Sequence, residues 1–306
     1  MNLLIPMTCK SCHRIPLKVI NTLLPVFLIV LMQSCSPRQV DDTARSGQMT
    51  LAVDKQLADI ADSQVKMFRG YYPDAHISLM PVSSNESLKL LLDHRVRGAL
   101  IGGTPEAAEE ALFATQSSSL RREAVAHDAI VCIVNSRNPL RSISLEELKN
   151  LFTGQREHGM TALVKADDFR LQSNFAATTG IKRENIRAWG CSSDSTLIMR
   201  IAADESALGL LFQSSPEVRR VLERATGNIR ILPIANKLNG AAALFPTQQT
   251  IFDGSYPLVT SVYYLYFSGD PLAAGFGAWL GSGGQKAFER SSYAPFKLVE
   301  RTIILH

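Results

Sequence analysis

The sequence predicts an α/β fold in two lobes, with mixed sheets flanked by helices and two strands crossing between the lobes. Three observations carry this. Short β-rich runs alternate with helical patterns along most of the chain, the signature of βαβ units with helices on both sheet faces. Two apolar β runs, Ala124–Val134 and Tyr256–Phe267, are long enough to pass from one lobe to another. They bracket a middle α/β block, which reads as a second lobe inserted in the first. A single doubly wound domain is the alternative reading of the same alternation.

The elements follow in order. Met49–Val53 is a β run, and Leu57, Ile60, Ala61, Val65 and Phe68 then recur at helical spacing. Tyr72-Pro73-Asp74-Ala75 makes a turn into a second strand, His76–Val82. Ser83-Ser84-Asn85-Glu86-Ser87 opens a helix carrying Leu88, Leu91 and Leu92. Ala99–Gly102 is a third strand, and Pro105 starts a helix through Phe113. After the first long strand, Ser144-Leu145-Glu146-Glu147 forms a capping box for a helix that runs to Phe152 and stops at Gly154. Ala162–Lys165, Ile186–Trp189, Leu208–Phe212 and Ile229–Ile234 are further strands with helices between them. Pro271–Leu280 and Gly284–Ser291 are closing helices. No internal repeat is present.

Composition narrows the class. Of 306 residues, 46% are hydrophobic and 20% charged, which excludes a disordered chain. The formal net charge is +4, from 32 basic and 28 acidic residues. Lys10, Arg14 and Lys18 precede the apolar stretch of residues 19–32 with no acidic residue among them. The basic excess therefore belongs to the leader, and a nucleic-acid surface loses its main support. The apolar stretch is shorter than the ~20 residues that span a bilayer and suits a signal-peptide core. Leu31-Met32-Gln33-Ser34-Cys35 resembles a bacterial lipoprotein leader, in which the cysteine is lipidated and becomes the first residue; an ordinary cleaved signal is the alternative. Cys9-Lys10-Ser11-Cys12-His13 matches a c-type haem attachment pattern, but lies in the segment removed with the leader. The expected organisation is a leader at 1–34, a tether at 35–47, the first part of lobe 1 at 48–130, lobe 2 at 131–255, and the return crossover with the rest of lobe 1 at 256–306. Cys132 sits in a buried-strand pattern and reads as core. Export leaves a Cys132–Cys191 disulfide open.

The most specific stretch is Asn135-Ser136-Arg137-Asn138-Pro139 leading into Ile143-Ser144-Leu145-Glu146-Glu147 and ending in Phe152-Thr153-Gly154. It resembles the segment just after the first crossover in phosphate-binding proteins of ABC transporters, where an Asn…Asn-Pro turn leads to a capped helix ending in Phe-Thr-Gly. Asp128 before the crossover, Ser206-Ala207-Leu208-Gly209 and Tyr256-Pro257-Leu258 fit the same family. So do Phe276–Leu280, Ser282-Gly283-Gly284-Gln285-Lys286 and Tyr293-Ala294-Pro295-Phe296. The order holds from Gly47 to Phe296. The resemblance implies a two-lobe, type II-like periplasmic binding protein fold, closing about two crossover strands on a solute. The ligand loops depart from the family pattern. Val53-Asp54-Lys55-Gln56 stands for a Gly-Ser-Thr turn, Ser83-Ser84-Asn85-Glu86 for Gly-Ser-Gly, and Gly98 for an Asp. In the second lobe Lys165 replaces an Arg, and Phe169-Arg170-Leu171 replaces Ser-Gly-Thr. Lost hydroxyls are lost donors to an oxyanion.

The remaining residues define the expected cleft. Ser83, Ser84 and Asn85 precede a helix, whose free amides and dipole favour an anion; one of them as a simple cap is the alternative. Lys55 supplies charge without the bidentate geometry of an Arg, or is a solvated helix-start residue. Asp54 repels a fully ionised oxyanion and suits a protonated one or a cation. Gly103 and Thr104 follow the third strand, and Thr104 either points its hydroxyl into the cleft or caps the helix before Pro105. Lys165, Asp167 and Asp168 suit an amine, a metal or the cap of the next helix. Ser192-Ser193-Asp194-Ser195-Thr196 is another polar helix start. His127 beside Asp128 reads as a structural pair near the hinge.

No hydrolase elbow, nucleotide-phosphate loop, HExxH or paired zinc-ligand cysteines occurs beyond the leader, so neither an enzyme nor a cofactor is expected. The function implied is that of an extracytoplasmic solute-binding lipoprotein. It would be tethered through Cys35, bind phosphate or a related small oxyanion between the lobes, and deliver it to an ABC transporter permease. The alternative is a non-transport surface lipoprotein, a sensor or assembly partner, keeping the fold with a degenerate cleft.

Overall fold

The computed structural model describes residues 42–115, 120–155, 158–224, 228–236 and 242–298. The expected leader, the expected lipidation site Cys35 and the first part of the tether lie outside them. From the N-terminal side, β1 (Gly47–Asp54), α1 (Ala58–Tyr71), β2 (Ala75–Val82), α2 (Ser84–Leu92), β3 (Gly98–Gly102) and α3 (Ala107–Thr115) lead to β4 (Leu120–Asn135). The middle block holds β5 (Ile143–Ser144), α4 (Leu145–Phe152), β6 (Thr161–Lys165), α5 (Phe169–Thr179), β7 (Trp189–Cys191), α6 (Asp194–Ala203), β8 (Ala207–Phe212), α7 (Pro216–Arg224), β9 (Ile229–Leu232), β10 (Ile234–Ala235) and α8 (Gln248–Phe252). The chain then returns through β11 (Val259–Phe267), α9 (Pro271–Leu280), α10 (Gln285–Glu289) and β12 (Ala294–Pro295).

One strand serves both lobes. The first part of β4 runs antiparallel to β11, and its last residues, from Ile130, pair with β8 and β9. The order is therefore β2-β1-β3-β11-β4 on one side and β4-β8-β6-β7 on the other, with parallel and antiparallel pairs in each. The fold is the α/β, two-lobe periplasmic binding protein arrangement of mixed sheets flanked by helices. The return crossing is made just before β11, which begins later than the sequence suggests. Tyr256, Pro257 and Leu258 lie outside β11; Pro257 has no N–H for a ladder. They cross by a different route: the Tyr256 hydroxyl donates to the Ile130 carbonyl at 3.0 Å, and the Ile130 amide donates to the Leu258 carbonyl at 2.9 Å.

Local sequence explains the helix boundaries that orient the site. At α4 the Ser144 hydroxyl accepts from the Glu147 amide at 3.1 Å, while the Glu147 carboxylate accepts from the Ser144 amide at 2.7 Å. Asp270 caps α9 by accepting from the Ala273 amide, with Pro271 in the first turn. Gly180, at φ 70°, ends α5 in the left-handed region that glycine tolerates best.

Each lobe has its own core. In lobe 1, Phe68, Phe276 and Tyr264 pack edge-on between α1, α9 and β11, and α2 covers the other face with Leu88 and Leu91. In lobe 2, Phe152 and Phe175 meet with ring centroids 5.0 Å apart, while Leu197 and Ile201 of α6 cover Val131 and Ile133. A fully buried side chain of this size contributes roughly 1.5–3 kcal/mol.

Two expected strands differ. The Ile186–Trp189 run becomes β7 at Trp189–Cys191 instead. Residues 183–185 form a 3-10 turn, the Arg187 amide donates to the Phe152 carbonyl, and Ile186 and Ala188 pack on the lobe 2 core, which holds this stretch off the sheet. The Ile229–Ile234 run divides at Pro233 into β9 and β10, and β10 pairs with β5. Cys132 and Cys191 are buried and unbonded, with β8 and β6 between their strands. Among the described residues no helix is long and apolar enough to cross a membrane.

Candidate functional site

The loops at the strand ends of the two lobes enclose a cavity of about 530 Å³. On the lobe 1 side, β1 delivers Asp54 and the start of a 3-10 turn, Lys55–Leu57. The Asp54 carboxylate accepts from the Gln56 amide at 3.4 Å and from the Ser84 hydroxyl. Ser83 caps α2 by accepting from the Glu86 amide at 3.2 Å. Asn85, on the first turn, accepts from Arg170 across the cleft at 3.4 Å.

On the lobe 2 side, β6 ends at Lys165, whose ammonium lies 3.6 Å from Asp167. Asp168 caps α5, accepting from the Leu171 amide at 3.0 Å. Ser193 caps α6 by accepting from the Thr196 amide. Beside it, Asp194 accepts from the Ser215 hydroxyl at 2.6 Å. Pro216 and Glu217 bring the start of α7 to the same wall. The N-terminal turns of α2, α5, α6 and α7 therefore open on one cavity. Their free amides and positive dipole ends make such turns sites for negative charge.

Much of that positive potential is answered from within. Asp54, Asp167, Asp168, Asp194 and Glu217 line the cavity, against Lys55, Lys165 and Arg170. Burial pushes the Asp168 carboxyl up to about 6, against the opposing pull of the Leu171 amide and Lys165. Burial also raises Asp54, opposed by the Ser84 hydroxyl, the Gln56 amide and Arg170. For Lys165, burial disfavours the charge, but Asp168, Asp194, Asp167 and Asp54 outweigh it and lift the ammonium above its ordinary range. Burial thus shifts both carboxyls toward the protonated form, Asp168 as far as about 6, and a proton turns an acceptor into a donor. Among the described residues no group of three His, Cys, Asp or Glu side chains is placed to hold a metal ion.

Of the residues expected from sequence, Asp54, Lys55, Ser83, Ser84, Asn85, Lys165, Asp167 and Asp168 all line this cavity. Gly103 and Thr104 do not. Thr104 faces an adjoining cavity of about 260 Å³ with Pro105, Glu106, Asn174 and Arg183. The Thr104 amide donates to the Asn174 side-chain carbonyl at 2.9 Å, and its own carbonyl accepts from Arg170 and Asn174. Gly103 has φ 79°, and a Cβ there would stand 2.7 Å from Asn174 Nδ2 and 2.8 Å from Arg170 Cγ. These two residues form a seam between lobes.

Arg170 is the residue that sequence reasoning left out of the site. It lines the cavity, is only 4% exposed, and holds Glu109 of α3 in a two-pronged ion pair at 2.5 and 2.7 Å. Its place two residues after a capping Asp was the available signal. The Ser193-Asp194-Ser195 helix start does reach the cavity, as do Gln56, Phe169, Pro216 and Glu217. Behind the cavity, Asp128 is buried on β4 opposite Thr260 and accepts from the Ala129 amide and the Ser214 hydroxyl; burial pushes it up to about 6. Next to it His127 meets Ser261 at 3.3 Å, so the pair lies where the crossing strands meet.

A family model described as a PBP superfamily domain matches residues 39–283. The chain belongs to the PBP superfamily. Solved structures agree on the fold. One is a protein described as a phosphate ABC transporter substrate-binding protein with bound phosphate, from Clostridium perfringens. It is 15% identical, with a TM-score of 0.64, and the match covers 82% of this chain and all of that one (100%). An ABC-type phosphate transport receptor from Vibrio cholerae is 16% identical with a TM-score of 0.62, covering 81% of this chain and 100% of its own. A sulfate-bound variant of the OxyR2 regulatory domain from Vibrio vulnificus is 10% identical with a TM-score of 0.50, covering 78% and 95%. No curated protein sequence matches the chain. Structures of the same fold thus include both a transport receptor and a regulatory domain.

Proposed function

We propose that this PBP superfamily member is an extracytoplasmic solute-binding lipoprotein that takes phosphate or a related small oxyanion between its lobes. One observation carries the reading: four helix N-termini converge on one cavity together with Ser83, Ser195, Lys55 and Lys165. An anion at that point meets backbone amides, hydroxyls and ammonium groups from both lobes at once, so binding favours the closed arrangement. At mildly acidic pH, where Asp168 holds its proton, it would serve as a donor to the anion. The tether through Cys35 would keep the protein at a membrane surface, where the closed form is the natural object of recognition by an ABC transporter permease. The phosphate-bound relative of the same fold supports the ligand class.

Isothermal titration of the purified, ligand-stripped protein with phosphate tests this. Saturable binding with one site per chain, weakened about tenfold or more by Lys165→Met, is the expected result. Absence of heat and of any melting shift at millimolar phosphate and sulfate would overturn it. A second reading, a surface lipoprotein without transport, is favoured by one observation: Glu109 already holds the buried guanidinium at the cleft. Failure of every small oxyanion in the titration would move the balance to that reading.

A further inference from the structure

Among the described residues, the ion pairs that join the lobes share one polarity. Glu109 pairs with Arg170, Glu106 with Arg183 at 2.7 Å, and Asp59 with Arg219 at 2.8 Å. Every carboxylate stands on lobe 1, on α1 or at the start of α3. Every guanidinium stands on lobe 2, on α5, α7 or the turn between α5 and β7. The first pair differs from the other two in burial. Arg170 has a side chain 4% exposed and Glu109 one 18% exposed, whereas both guanidinium side chains of the other pairs are about a third exposed and their acids 30% and 72%. Arg170 is also the cavity's guanidinium. Its Nη2 reaches both Glu109 and Asn85, its charge is felt at Asp54, and its Nε is buried without a partner. The absence of a side chain on Gly103 is what allows its stem to pass.

We infer that Glu109 is an internal counter-ligand: its carboxylate occupies, from the opposite lobe, the guanidinium that a solute oxyanion would otherwise engage. A carboxylate and an oxyanion present the same two-acceptor face to a guanidinium, so they compete for the same donors. The pair draws α3 and α5 together in the absence of solute, and solute must displace Glu109 to gain Arg170. Glu109 would then set affinity although it does not line the cavity. Ligand strength would be traded for a lobe contact that needs no ligand.

The inference rests on the anion reading proposed above, and the experiment separates the two. Wild type and Glu109→Gln are titrated with sulfate, whose charge is constant over the working range, and with inorganic phosphate. Small-angle scattering of the stripped proteins is recorded with and without the anion. Glu109→Gln is expected to bind about tenfold tighter or more. Its scattering is expected to show a larger radius without anion, returning to the wild-type value with it. Unchanged or weaker binding by Glu109→Gln would overturn the counter-ligand. If neither protein binds either anion, the anion reading fails, and scattering still decides the lobe contact. An unchanged radius in stripped Glu109→Gln, with its melting temperature showing a folded protein, would then overturn the counter-ligand as well.

Discussion

Sulfate binding should weaken steeply as pH rises from 5 to 8. Asp168 sits at the mouth of α5, facing Lys165, Asp54 and Asp194, and burial lifts its carboxyl to about 6. An oxyanion placed at that helix start tolerates the neutral acid and is repelled by the carboxylate. If binding requires the proton, the dissociation constant scales with the fraction of Asp168 that is neutral. Most of the group is neutral at pH 5 and about one part in a hundred at pH 8, so affinity falls about 90-fold, close to 3 kcal/mol. The assay is calorimetric titration with sulfate at constant ionic strength from pH 5 to 8. Asp168→Asn keeps an oxygen for the Leu171 amide but cannot ionise, so it should flatten the profile and bind tighter than wild type at pH 8. A profile that is flat in wild type, or equally steep in Asp168→Asn, would refute the reasoning.

Other expectations follow from individual residues. Asp128 has a folded value of about 6 against an ordinary 3.8, so it stabilises the fold when protonated. That contribution is fully present below 3.8 and is lost as pH rises through 6. Denaturant titrations should show a loss of up to about 3 kcal/mol between pH 4 and 7 that Asp128→Asn largely removes. Gly103→Ala should destabilise by about 1–3 kcal/mol, from its positive φ and its approach to Arg170 and Asn174, and scattering should show the lobes further apart. Ser144→Ala removes one half of the capping box and should lower stability by about 1 kcal/mol, read as a shift in thermal midpoint without change in anion affinity.

The fold was legible because its signals are local or periodic. The run Ala124–Val134 announced a strand of unusual length, and β4 extends it at both ends. The Ser144–Glu147 box and the Asp270-Pro271 start placed their helices from side-chain chemistry alone. Ile186–Trp189 misled because β-rich composition does not say where backbone groups find partners; here Arg187 bonds to Phe152 instead of a strand. The Tyr256–Leu258 crossing looked like strand for the same reason.

The site divides along a similar line. Polar helix starts are visible as Ser, Asn and Asp before apolar periodicity, so most of the cavity wall could be named. Arg170 could not be understood without Glu109, since the two meet only when the lobes come together. Gly103 and Thr104 were expected at the ligand because they end a strand. Their backbone instead serves Asn174 and Arg170, a long-range contact with no local trace.

The most direct test is to locate the anion. Crystals of the ligand-stripped protein soaked in selenate, an anomalous stand-in for sulfate, should show a selenium peak in the cavity within reach of Lys165 and the first amides of α2 and α5. Saturating selenate with no peak between the lobes, while the protein remains folded and the cavity open to solvent, would contradict the solute-binding site.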